Sequence, residues 1–97
     1  MITVKERSKK RDSALDAVKT AIASEIKRLE IGLQKTGREI ERLEKKYKVT
    51  SAVFRQRFSA EDLKGGDREY IEWMGELKLR ERISGDLKKL KAVKYVA

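Results

Sequence analysis

Residue types that often do chemistry in enzymes are scarce in this chain. Its 97 residues include no cysteine and no histidine. This removes thiol nucleophiles, imidazole bases and the ligands that zinc, copper and iron sites usually need. Carboxylates are plentiful, but they alternate with lysine and arginine as on a solvated helix surface. We therefore expect no catalytic residue, no metal and no cofactor, which predicts a protein that is not an enzyme.

Two short segments have part of the composition of a ligand site. Gly65-Gly66-Asp67 lacks the Lys-Ser or Lys-Thr that follows in a phosphate-binding loop, so it indicates a turn. The next carboxylates offer the oxygen ligands that a divalent cation prefers, and with Asp67 they are Glu69, Glu72 and Glu76. Acidic residues are also expected in the first turn of any helix, where they complement its dipole. We favour this second explanation.

The positive charge of the chain lies at its two ends. The net charge is +9, of which residues 1–11 carry +4 and residues 88–97 carry +4. The basic residues of these ends are Lys5, Arg7, Lys9, Lys10, Arg11, Lys88, Lys89, Lys91 and Lys94. A basic cluster attracts nucleic acid, an anionic membrane surface or an acidic protein face, whereas solubilising charge is the simpler explanation. Only Tyr95 is interleaved as an aromatic, which gives weak support to base stacking.

One long amphipathic stretch, predicted to be a helix over about residues 12–47, organises the chain. Its stripe recurs at steps of three and four and comprises Leu15, Val18, Ile22, Ile26, Leu29, Leu33, Thr36, Ile40, Leu43 and Tyr47. An eleven-residue spacing gives way to a seven-residue one, which predicts a nearly straight helix that becomes a left-handed coiled coil. Asp12 or Ser13 is the expected cap. Residues 1–11 are therefore predicted to form a basic flexible arm.

Residues 12–97 are predicted to fold as a helical hairpin. A connection over residues 48–66 contains a short helix capped by Thr50 or Ser51, and Gly65 and Gly66 end it. Helix 2 is expected over about residues 67–94 and returns antiparallel along helix 1. The predicted core of the hairpin and dimer is Ile26, Leu29, Leu33, Ile40, Leu43, Leu77, Ile83, Leu87 and Leu90. This geometry also predicts that the two basic ends meet at the open end of the hairpin.

The same topology gathers five aromatic residues near the turn, and they are Tyr47, Phe54, Phe58, Tyr70 and Trp73. A small aromatic core that fixes the hairpin angle is the favoured interpretation, because aromatic side chains dominate burial in small cores. An anchor site for a partner would instead require Trp73 or Phe58 to be exposed. Gly32 and Gly37 interrupt helix 1, and either close approach of another helix or a local bend would explain them. Glu44 is expected to pair with Lys48 at four-residue spacing.

The order of the turn motifs resembles a widespread group of small archaeal and bacterial coiled-coil proteins. The residues that carry the resemblance are Lys46-Tyr47-Lys48-Val49-Thr50-Ser51, Phe54, Phe58, Leu63, Gly65-Gly66-Asp67 and Tyr70-Ile71-Glu72-Trp73. Members of the group carry a Lys-Tyr-Gly turn, so Lys48 stands where they have glycine. The resemblance covers roughly residues 26–90, and its motifs describe how a hairpin is turned. Many members look like antitoxins, which implies a small toxin as the partner.

The sequence therefore predicts an all-α, antiparallel two-helix coiled-coil hairpin that dimerises into a four-helix bundle, because a single hairpin leaves each helix one neighbour. We expect a cytoplasmic, non-catalytic protein-interaction module that does not associate with a membrane. Its expected role is that of an antitoxin-like partner of a small toxin. The alternative is a sequence-nonspecific nucleic-acid-binding protein that uses the basic open end. A third interpretation is a structural subunit that assembles beyond a dimer. The sequence leaves open whether the hairpin forms within one chain or by exchange between two.

Overall fold

A computed structural model describes residues 4–57 and 66–94, with side chains described for residues 12–57 and 67–94. The described chain is helical and comprises α1 (Val4–Tyr47), α2 (Ser51–Arg57) and α3 (Gly66–Lys91). α1 and α3 pack against each other in one chain, and α2 lies at the turn between them. The molecule is a rod of 71 × 18 × 18 Å. The predicted all-α hairpin is thus confirmed for a single chain.

The first helix begins earlier than the sequence predicted. α1 starts at Val4 rather than at Asp12 or Ser13, so the segment predicted as a flexible arm is helical from residue 4 to residue 11. Lysine and arginine are favourable helix residues, and neither glycine nor proline interrupts this segment. The 44 residues of α1 give a length of about 66 Å, against about 39 Å for the 26 residues of α3. α1 is therefore much longer than its partner.

The end of α1 is a Schellman motif. Lys48 has a positive φ of 55°, and the amide of Val49 donates to the carbonyl oxygen of Glu44 at 3.2 Å. Lys48 therefore occupies the left-handed position after the helix, which glycine adopts most readily. The next residue but one, Thr50, caps α2 by accepting a hydrogen bond from the Val53 amide at 3.2 Å. These two motifs reverse the chain within three residues.

The core divides into two clusters along the rod. The turn-end core consists of Ile40, Leu43, Phe54, Trp73 and Leu77, which are at most 1% exposed. The open-end core consists of Leu29, Ile83 and Leu87, which are 6–8% exposed, with Ile26, Leu33 and Leu90 partly buried against them. Gly32 faces α3, since a Cβ there would be in van der Waals contact with Ile83 Cδ1 at 3.4 Å, whereas a Cβ at Gly37 would meet open space.

Candidate interaction surface

The aromatic cluster at the turn is packed inside the protein. Phe54 and Trp73 are fully buried and stack with ring centroids 4.0 Å apart and planes 5° apart. Tyr47 stacks on the same indole at 6.0 Å, and Tyr70 tilts against Phe54 at 5.2 Å. Phe58 lies outside the described residues. Because the indole of Trp73 has no exposed surface, it fixes the hairpin and does not serve as an anchor for a partner.

Hydrogen bonds hold the indole in place. Trp73 Nε1 donates to Ser51 Oγ at 3.0 Å, and this hydroxyl donates to Glu44 Oε2 at 2.9 Å. Glu44 Oε2 also accepts the backbone amide of Ser51 at 2.8 Å. Glu44 therefore ties α1 to the start of α2, and the predicted pair with Lys48 is not formed because Lys48 lies beyond the end of α1. Ser51, at the first position of α2, was the sequence signal for the contact with Glu44.

A cluster of charged groups crosses the turn end on the surface. Lys46 Nζ and Tyr47 Oη donate to Glu69 Oε1 at 2.6 and 2.8 Å. The hydrogen bond from Lys46, followed by the one from Tyr47, lowers the pKa of Glu69, and the same bond to Glu69 raises the pKa of Lys46. Glu69 Oε2 is buried without a hydrogen-bond partner among the described residues and lies 4.0 Å from Arg42 Nη1. This cluster joins α1 to α3.

Three of the four acidic residues that resembled a cation site, Glu69, Glu72 and Glu76, contact separate partners. Glu69 contacts Lys46 and Tyr47, whereas Glu72 accepts a hydrogen bond from Arg68 at 3.2 Å. The buried hydroxyl of Thr36 contacts both the carboxylate of Glu76 and its carbonyl oxygen, the latter at 3.1 Å. Within residues 4–57 and 66–94, acidic residues form no group of three that is placed to hold a metal ion. These carboxylates therefore act between and along helices.

The structure separates the two basic ends that the sequence brought together. Leu90 packs beside Ile26, and Glu25, Asp86 and Lys89 line one groove with it. Residue 11 lies 14 residues before Glu25, which is about 20 Å farther along α1. The backbone of residues 4–11 thus extends beyond the end of α3, and the expected basic cluster of both ends is corrected to two clusters. Lys88, Lys89, Lys91 and Lys94 are all exposed.

An open groove runs between α1 and α3 near the open-end core. It has a volume of about 410 Å³ and is lined by charges of both signs, among them Glu25, Arg28, Arg82 and Asp86. Arg28 forms an ion pair with Glu25, which lowers the pKa of that carboxyl group. The mixture of signs offers no uniform anion or cation site. This groove is therefore a weaker candidate for a ligand than the surface beyond it.

The surface beyond the open end is an apolar stripe on α1. We call residues 4–22 of α1 the projecting segment, because no described helix packs alongside them. Leu15 and Ile22 precede Leu29 by 14 and 7 residues, so they share its face of the helix. On this face Val18 is 51% exposed, and Leu15 and Ile22 are partly exposed. The coiled-coil face of α1 thus continues where α3 has ended.

Sequence reasoning missed this projection, although a signal for it existed. Counted outward from the turn, the stripe of α1 extends 32 residues from Tyr47 to Leu15, whereas that of α3 extends 17 residues from Trp73 to Leu90. Two antiparallel helices have the same rise per residue, so the longer apolar stripe of α1 extends beyond the end of the shorter stripe of α3. The unequal lengths indicate a surface of α1 that α3 does not cover.

No protein-family model, curated protein or solved structure matches this chain. Among the described residues, no helix carries an apolar run long enough to cross a lipid bilayer.

Proposed function

We propose that this chain is a non-catalytic interaction protein that binds a partner protein along the projecting segment of α1. The observation that carries the proposal is the exposed stripe of Leu15, Val18 and Ile22, which continues the face that α3 covers farther along. Coiled-coil residues on this face bury their side chains against a neighbouring helix. A helix from another protein would complete the seam.

Two further features support an interaction role over a reaction. Cysteine and histidine are absent from the sequence, and the carboxylates of Glu69, Glu72 and Glu76 contact residues of α1 or of their own helix. The resemblance of the turn motifs to antitoxin-like coiled-coil proteins adds a small protein, such as a toxin, as the partner. The setting that we propose is the cytoplasm.

The test is capture of the partner by tagged protein from a lysate of the source cells, treated with nuclease. Val18→Asp places a charge in the middle of the stripe and should abolish capture. Ile31→Asp is the matched control, because Ile31 is 59% exposed and lies about 140° away around α1. A partner that is retained equally by both variants would contradict the use of this stripe.

A second part of the proposal is that two hairpins pair into a four-helix bundle. The open-end core supports it, since Ile26, Leu33 and Leu90 are only partly buried by the two helices of one chain. Pairing of hairpins would cover these flanks and increase the apolar area removed from water. Sedimentation equilibrium should show a dimer at micromolar concentration, and a stable monomer there would refute the bundle.

Nucleic-acid binding is the second candidate function. The exposed lysines at the end of α3 favour it, together with the basic residues 5–11 of α1. Phosphate contacts release counterions, so affinity for a DNA duplex should fall steeply with salt. Because the two basic clusters are separate, Lys9→Glu with Lys10→Glu and Lys89→Glu with Lys91→Glu should each remove part of the binding. Binding that neither pair of substitutions weakens would exclude both clusters.

A further inference from the structure

We propose that the projecting segment receives an acidic amphipathic helix, seated on Leu15, Val18 and Ile22 in line with α3. The inference deepens the proposed function by naming the chemistry of the partner, and it rests on that function. The apolar stripe gives the floor of the site, with Val18 as its most exposed residue. The exposed lysines at the end of α3 lie at one end of the site, and the basic residues 5–11 lie at the other.

The charge at both ends of the site selects the occupant. Residues 1–11 carry a net charge of +4, and Lys88, Lys89, Lys91 and Lys94 supply +4 beside the base of the projecting segment. Asp12 and Asp16 oppose this charge within the segment, and Glu25 and Asp86 oppose it beside Lys89 at the base. A helix with glutamate or aspartate flanking its apolar stripe would meet positive charge at each end, which favours association and its rate.

The same charges disfavour a second copy of the chain on this segment. If two projecting segments paired in parallel, residues 5–11 of one copy would lie beside residues 5–11 of the other. If they paired antiparallel in line with α3, residues 5–11 of one copy would lie beside the lysines at the end of α3 of the other. Like charges oppose both arrangements. Pairing of the hairpins through the flanks of the open-end core is a separate contact.

The length of the segment sets the size of the occupant. Residues 4–22 of α1 span about 28 Å, which matches a helix of about 18 residues. Such a helix would present leucines at steps of three and four to the stripe and acidic residues on both flanks. It would continue the line of α3 and share the face of α1 that α3 occupies between Ile26 and Tyr47.

The experiment uses the full chain and three synthetic 18-residue peptides, followed by fluorescence anisotropy. One peptide has leucines at heptad spacing with glutamate flanks, the second has lysine flanks, and the third keeps the acidic composition but scrambles the leucines. We expect the first to bind at least tenfold more tightly than the other two. Val18→Asp should weaken its binding at least tenfold, and Ile31→Asp should leave it within twofold. Circular dichroism of both variants checks that the helices remain.

Each other outcome contradicts the inference in an identifiable way. Equal binding of the scrambled acidic peptide, or loss of binding in neither variant, would mean attraction to net charge alone. Tighter binding of the lysine peptide would reverse the chemistry of the partner. If the chain is a dimer that Val18→Asp converts to a monomer, the stripe binds a second copy of the chain and not an acidic helix. If lysate capture depends on Val18 while the acidic peptide fails to bind, the proposed function survives and the acidic partner does not.

Discussion

The turn end and the open end of this hairpin are built from the same two helices but differ in how completely they bury their side chains. At the turn, α2 adds a third helix, and Phe54 and Trp73 have no exposed surface. At the open end, α1 and α3 pack alone, and Leu29, Ile83 and Leu87 remain 6–8% exposed. Beyond the end of α3, α1 has no neighbour among the described residues, and Val18 is half exposed.

The number of packed helices falls from three at the turn end to two at the open end and one in the projecting segment. Burial of side chains falls with it. A side chain between two helices touches solvent on both flanks, so further coverage requires another helix from this chain or from a partner. Hydrogen bonds follow the same gradient, since the buried contacts of Trp73, Ser51 and Glu44 all lie at the turn. The turn end should therefore be the most stable region and the projecting segment the least.

Trp73→Ala tests the turn end and should have the largest effect. It removes the largest fully buried side chain, the stacking with Phe54 and the bond to Ser51. The expected loss is about 3–5 kcal/mol in the free energy of unfolding, as for other large-to-small changes in a core. Urea unfolding followed by circular dichroism measures it, since the chain has a single tryptophan and loses that fluorophore.

Ile71→Ala is the matched control for that substitution. Ile71 lies two residues before Trp73 in α3 but is 66% exposed, so its removal should change the free energy of unfolding by no more than about 0.5 kcal/mol. A loss from Ile71→Ala as large as that from Trp73→Ala would mean that the outer face of α3 is buried in solution. The turn-end core would then extend into an intermolecular contact.

Leu77→Ala and Leu87→Ala compare the two ends with identical chemistry on one helix. Leu77 is 1% exposed in the turn-end core, and Leu87 is 6% exposed in the open-end core. We expect a loss of about 3–5 kcal/mol for Leu77→Ala and about 2–3 kcal/mol for Leu87→Ala, because a cavity beside solvent relaxes more easily. Unfolding with tryptophan fluorescence measures both. If Leu77→Ala and Leu87→Ala lower the free energy of unfolding equally, at low as well as at high protein concentration, the proposed difference between the two ends is wrong.

The fold was predictable from the sequence because its signals are local and periodic. The apolar steps of three and four predicted two long helices that pack together, and the structure has them as α1 and α3. The predicted turn at Gly65 lies outside the described residues. Four of the aromatic residues pack in one core because they flank the reversal of the chain, namely Tyr47, Phe54, Tyr70 and Trp73. Periodicity therefore carried most of the architecture.

The projecting segment could be predicted only by comparing the lengths of the two apolar stripes, and the local signals pointed elsewhere. The cap assigned to Asp12 or Ser13 was a local signal, and the favourable propensity of the preceding residues overrode it. The separation of the two basic ends depends on the register of α1 against α3. Long-range contacts set this register, such as Thr36 with Glu76, about 40 residues apart, and Tyr47 with Trp73, about 26 residues apart. Nothing in the local pattern at either end reports that register.

Lys48→Gly should relieve backbone strain at the turn end and leave the open end unchanged. Lys48 has a positive φ, and a left-handed conformation costs a residue with a Cβ about 1–2 kcal/mol. Glycine should therefore stabilise the protein by about 1 kcal/mol, measured as a shift of the urea midpoint. Lys48→Ala removes the same charge but keeps the Cβ, so it should give no comparable gain. A gain from Lys48→Ala equal to that from glycine would assign the effect to charge.

Glu69 should make the turn end sensitive to acid, with the smallest effect of the series. Its pKa is lowered by the hydrogen bonds from Lys46 and Tyr47, so the folded state favours the ionised carboxylate. This contribution is present above the unfolded-state pKa of about 4.3 and is lost as the pH falls through the lower folded-state pKa. Unfolding between pH 7 and pH 3 should therefore show a drop in stability that Glu69→Gln diminishes. Tyr47→Phe removes one of the two hydrogen bonds and should diminish the drop less, whereas an unchanged pH dependence in Glu69→Gln would show that carboxylates elsewhere on the rod are responsible.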